Sequence, residues 1–124
     1  MEIKERLKRL KKVLEQLKNE CVFVEGKRDK QALEELGITN VFTISGNLHL
    51  SCDKIGNVQR VFVLTDLDRR GDELAKAARD ELESRSIKAD LEARKKLAHT
   101  LRIKYFEDAK RAYDELIVEG EKNG

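Results

Sequence analysis

Two runs in this chain, CVFV at 21–24 and VFVL at 61–64, are apolar at every position. A strand with one wet face alternates apolar and polar residues, whereas a strand apolar throughout must be covered on both faces. NVFTI at 40–44 is a further run of strand formers, and Ile87–Leu91 a short fourth. The segments between them have helical spacing. Strands of this kind alternating with helices predict an α/β fold: a Rossmann-like parallel sheet of about four strands, with helices on both faces. Helices at the N- and C-termini complete it. Ligands in such sheets bind beyond the carboxyl ends of the strands.

The expected elements follow in order. A helix spans 2–19, where Ile3, Leu7, Leu10, Leu14 and Leu17 form a narrow apolar stripe. The stripe either docks on the domain or makes a short self-association seam. A strand at 21–25 leads through a sharp turn at Gly26 into a helix at 28–36, closed by Gly37. After the strand at 40–44 comes a loop, Ser45–Gly46–Asn47, and then a short helix within 48–57 capped by Ser51. A strand at 60–65 precedes a helix at 70–85 with Leu74, Ala78 and Leu82 on one face. Helices at 92–99 and 105–119 end the chain, with Phe106, Ala109, Tyr113, Leu116 and Ile117 facing inward. At 124 residues this is one domain: the helix 2–19, a core 20–92 and C-terminal helices within 93–119.

Charge limits the partners. The net charge is +2, but segments 1–20 and 85–111 carry +3 and +5, while 21–84 and 112–124 carry −3 each. An acidic middle between basic segments suits a metal site beside a phosphate-binding surface, and it equally describes a well-solvated surface. No apolar stretch reaches the length of a membrane span, and charges interrupt every possible signal-peptide core in MEIKERLKRLKK. Cys21 and Cys52 stand alone, without a CxxC pattern. They read as small apolar residues of a protein in a reducing cytoplasm. His49 and His99 lie far in sequence from the acidic motifs.

The strand ends concentrate carboxylates. The first strand ends in Glu25, and the third delivers Asp66–Leu67–Asp68 at the same edge. Residues two apart in extended chain point the same way, so Asp66 and Asp68 can converge on one cation. Oxygen-only ligands suit Mg²⁺, or Mn²⁺ in its place. Ordinary loop acids or helix N-caps are the competing reading. Lys27 and Arg28 at one helix start, and Arg69 and Arg70 at another, suit phosphates, or are solvated loop charges. Arg94, Lys95 and Lys96 add a basic cluster expected to contact nucleic-acid phosphates. Asp29 reads as a simple helix-start acid, favoured by the helix dipole.

VFVEGKRD at 22–29 and VFVLTDLDRRGDELA at 61–75 together resemble the Toprim domain of topoisomerases, bacterial-type primases, recombination mediators and some nucleases. The likeness covers about residues 20–92. EGKRD is most similar to ribonuclease M-five, a ribosomal-RNA maturase, and to small stand-alone, primase-like Toprim proteins. The resemblance implies Glu25 as general acid/base, Asp66 and Asp68 as Mg²⁺ ligands, Asp72 as an accessory ligand, and Asp29 as the residue orienting the glutamate loop. Leu67, Arg70 and Asp72 stand where the family commonly has Pro, Glu and Glu.

Two functions fit. One is a Mg²⁺-dependent nuclease or related phosphotransferase acting on RNA or DNA. The other is a non-catalytic module that binds metal and nucleic acid within a larger complex, with a protein partner or as a homo-oligomer.

Overall fold

The computed structural model describes residues 2–44 and 46–123, so Ser45 of the expected loop lies outside the described residues. The element order is α1 (Ile3–Leu17), β1 (Cys21–Val24), α2 (Lys27–Glu35), β2 (Val41–Thr43), α3 (Leu48–Ile55), β3 (Arg60–Val63), α4 (Arg69–Ser84), β4 (Lys88–Asp90), α5 (Glu92–Leu101), a 3-10 turn (Phe106–Asp108) and α6 (Ala109–Asn123). The sheet has four strands in the order β2-β1-β3-β4. All three pairings are parallel, with Val22 opposite Val41 and Phe62, and Phe62 opposite Asp90.

Pleating sends alternate residues to opposite faces, and both faces are dry. Val22, Val24, Phe62 and Leu64 meet Leu10, Leu17, Leu33, Leu97 and Phe106 on one side. Cys21, Phe23, Val61 and Val63 meet Cys52, Ala75, Ala78 and Leu82 on the other. Helices α1, α2, α5 and α6 therefore cover one face, and α3 and α4 the other. The α1 stripe docks on the domain: Leu10, Val13 and Leu17 are buried. Arg6 is buried there too, its Nε and Nη2 donating to the Thr100 carbonyl at 3.1 and 2.8 Å. A guanidinium on a carbonyl of the last turn complements the negative end of α5.

The chain bends at Glu25 and Gly26 as expected, Gly26 being an extended N-cap residue with φ −145°. Several boundaries and roles differ from expectation. Asn47, not Ser51, caps α3, accepting from Leu50 N–H. Ser51 sits inside that helix and donates to the Thr43 carbonyl at 3.1 Å. Gly37 does close α2, at φ +92°. Its N–H bonds the Glu34 carbonyl while Ile38 N–H reaches back to Leu33. The last helix starts at Ala109 instead of 105, because the chain before it is held extended against the end of β3. Within α6, Ala109 and Leu116 are buried, as is Phe106 before it, whereas Tyr113 and Ile117 are only partly covered.

Candidate functional site at the strand ends

The chain leaves β1 in one direction to build β2, and returns to the other side of β1 to build β3. The strand order thus reverses between β1 and β3, the place where open parallel sheets bind ligands. Glu25 follows β1, and Asp66 and Asp68 follow β3, so the expected acids flank this point. Glu25 reaches across it: its Oε2 accepts from the Asp66 N–H at 2.7 Å. Asp29, on the first turn of α2, is 8% exposed. Its Oδ2 accepts from the Gly26 N–H at 2.9 Å. That bond caps α2 and ties Asp29 to the backbone directly after Glu25.

Asp66 is held from three sides. Its Oδ1 accepts from Phe106 N–H at 2.9 Å, and the next residue, Leu67, donates its N–H to the Lys104 carbonyl at 2.7 Å. Glu25 holds the Asp66 backbone N–H from the third side. Burial pushes the Asp66 carboxyl up to about 7; the Phe106 N–H opposes this, and the charges of Asp29 and Glu25 add to it. Burial likewise raises Asp29, with the charges of Glu25 and Glu107 adding to it against bonds from Gly26 and Glu107 N–H. Asp68 caps α4, its Oδ1 accepting from Gly71 N–H at 2.6 Å. Gly71 packs on the backbone of Asp66, where an added Cβ would lie 1.7 Å from the Asp66 carbonyl oxygen. Thr65 locks the same contact, donating from Oγ1 to the Gly71 carbonyl at 2.7 Å.

Two expected roles change. Arg94 does not face a phosphate: it is 3% exposed and turned inward. Its Nε donates to the Thr65 carbonyl at 2.7 Å, and its Nη2 to the Asp66 carbonyl and Asp72 Oδ1, both at 2.6 Å. It clamps the end of β3 to α5. Asp72 is Arg94's counter-charge, so its Oδ1 is not spare for a metal. The Arg94 guanidinium holds the Asp72 carboxyl below the usual range, helped by Lys76 and Lys95.

The other cations are exposed. Lys27 and Arg28 open α2, and Arg69 and Arg70 open α4. Arg69 Nε lies 3.4 Å from Glu73. Lys95 is exposed on α5 near Asp72, while Lys96 lines a separate groove with Arg9, Lys12 and His99 between α1 and α5. His49 lies beside Glu81 and Asp53, away from the strand ends.

Among the described residues no three His, Cys, Asp or Glu side chains surround a common point. The donor chemistry nonetheless fits a hard divalent cation. Glu25, Asp66 and Asp68 offer oxygen alone, each oriented by a backbone N–H. Besides burial, the charges of Asp29 and Glu25 push the Asp66 carboxyl up, and a cation would offset those charges. Sequence reasoning missed Gly71, Thr65, Phe106 N–H and the inward turn of Arg94. Of these only Gly71 left a signal, a glycine inside a helix start.

Relatives share most of the chain. A UPF0292 protein of Methanocaldococcus jannaschii is 40% identical over 98 residues, covering 73% of this chain and 77% of the relative. One from Methanosarcina barkeri is 36% identical over 104 residues, covering 76% and 71%. One from Thermococcus sibiricus is 32% identical over 100 residues, covering 75% and 77%. A solved structure of an Aquifex aeolicus protein matches with a TM-score of 0.69 at 26% identity, over 82% of this chain and 94% of that one. No family model matches the chain. No helix among the described residues is long and apolar enough to cross a membrane.

Proposed function

The chain belongs to the UPF0292 family, and for it we propose a Toprim-like, divalent-cation-dependent phosphoryl transfer on nucleic acid, with nuclease action of the ribonuclease M-five kind as the specific form. The observation that carries this reading is the Glu25–Asp66 bridge across the strand-order reversal. It joins the two acidic motifs whose order and spacing resemble the Toprim pattern.

Asp66 and Asp68 would hold Mg²⁺ or Mn²⁺. A bound cation supplies charge neutralisation at the phosphate oxygens. Glu25 is the proton carrier. Its Oε2 accepts from the Asp66 N–H at 2.7 Å, which sets it beside the expected metal ligand. Asp29 keeps the Glu25 turn in place through Gly26. Lys27, Arg28, Arg69 and Arg70 neutralise neighbouring phosphates from the N-terminal turns of α2 and α4, where helix dipoles favour anions.

The test is a panel of labelled RNAs and DNAs incubated with pure protein in Mg²⁺ or in EDTA. Cleavage in Mg²⁺ alone, lost in Glu25→Gln by the 10²–10⁴-fold that proton transfer contributes, supports the reading. If wild type and Glu25→Gln both bind nucleic acid and neither cuts, the chain is instead a binding module of a larger assembly.

A further inference from the structure

Residues 102–105, Arg-Ile-Lys-Tyr, join α5 to the 3-10 turn. This linker is fixed to the site at both ends of Tyr105. The Lys104 carbonyl takes the Leu67 N–H at 2.7 Å, and the Phe106 N–H gives to Asp66 Oδ1 at 2.9 Å. Tyr105 is extended, at φ −117° and ψ 128°. Phe106 is wholly buried, whereas Tyr105 is 41% exposed. Among the described residues only Leu50 and Val118 are comparably exposed large apolar side chains. Arg102 and Lys104 are exposed as well, and neither forms an ion pair among the described residues.

Backbone bonds on either side of Tyr105 hold this segment beside the carboxylate cluster, and two exposed cations precede the ring in the linker. A ring with cations interleaved is the chemistry that binds single-stranded nucleic acid: bases stack on the ring and phosphates meet the cations. A duplex hides the faces of its bases and offers nothing to stack.

We propose that Tyr105 is a base-stacking platform, with Arg102 and Lys104 taking adjoining phosphates, so that the site receives an unpaired nucleotide of single-stranded nucleic acid beside Asp66. The inference rests on the phosphoryl-transfer reading above and names its substrate class.

The chain has no tryptophan, so Tyr105→Trp places a unique fluorophore at the platform. Unlabelled single-stranded RNA and DNA oligonucleotides, and duplexes of the same sequence, are titrated in Mg²⁺ at low salt into Tyr105→Trp carrying Glu25→Gln. Single strands should quench the indole at saturation, and duplexes should leave it bright. Tyr105→Ala should weaken single-strand binding about 5- to 150-fold, the range for losing one stacked base. Tyr105→Phe should restore it, with unfolding midpoints unchanged in both. A bound strand that leaves the indole bright, equal quenching by duplex, wild-type affinity in Tyr105→Ala, or no binding at low salt each overturns the proposal. Quenching without cleavage by the wild type keeps the stacking platform and removes the catalytic reading. Cleavage that Glu25→Gln abolishes, with Tyr105→Ala binding like wild type, does the reverse.

Discussion

Gly71 has no room for a side chain. A Cβ there would stand 1.7 Å from the Asp66 carbonyl oxygen, a backbone atom that Arg94 also holds. Gly71→Ala should therefore cost at least about 3 kcal/mol, the upper end of over-packing penalties, as read by denaturant unfolding. Gly120→Ala is the control. Its Cβ would meet the Leu7 Cδ1 at 2.6 Å, a side-chain end that can swing aside, so its loss should be much smaller. Asp66 makes a second prediction. Its folded-state carboxyl is pushed up to about 7 from an ordinary value of 3.8. The folded chain thus holds that proton more tightly than the unfolded chain. This contribution is fully present below about pH 4 and is lost as pH rises through 7. Burial acts on Asp29 in the same direction. In EDTA the melting temperature should fall between about pH 4 and 7, and Asp66→Asn should flatten that fall. A metal-free wild type that gains stability over this range would contradict the assignment. Residue identities at this scale were legible wherever a strand end exposed an acid. Arg94 was misread because a basic triplet, Arg94–Lys95–Lys96, looks uniformly solvated in sequence. Helical geometry turns its first member toward the core and the other two outward.

At the scale of elements, helix ends carry measurable strain. Ser86 closes α4 with φ +61°, in the left-handed region, while Ile87 N–H reaches back to the Leu82 carbonyl at 2.9 Å. Gly37 does the same for α2 at φ +92°. Side chains are disfavoured in that conformation by roughly 1 kcal/mol. Ser86→Gly should gain up to about 1 kcal/mol and Gly37→Ala should lose about as much, both measurable by thermal or denaturant melts. Helices and strands with strong apolar periodicity were readable within two residues at most ends. The start of α6 was not, since Phe106 N–H and the Lys104 carbonyl serve Asp66 and Leu67. These bonds span some 40 positions, and a local pattern carries no trace of them. The α3 cap moved for a related reason. Asn47 and Ser51 both suit a cap, and Ser51 is drawn instead to the Thr43 carbonyl at the end of β2.

At the scale of the whole molecule, packing α1 against α5 unites the two basic segments. Arg9, Lys12, Lys96 and His99 share one groove there. If this face tracks a nucleic-acid backbone, affinity should fall with salt. Each phosphate neutralised adds roughly −0.9 to the slope of log K against log salt on duplex DNA. The double variant Lys12→Ala/Lys96→Ala should then make the slope shallower by about 2, and a slope equal to wild type would remove these lysines from the contact. The sheet architecture was legible because strands apolar on both faces leave few alternatives. The strand order was not written in any single run, yet it determines that Glu25 and Asp66 become neighbours. The central claim is that this junction is a divalent-cation site for phosphoryl transfer. Titration calorimetry of Mg²⁺ and Mn²⁺ into wild type and Asp66→Asn/Asp68→Asn tests it most directly. The account predicts heat of binding in the wild type and none in the double variant, with both folded by circular dichroism; equal binding in the two proteins would contradict it.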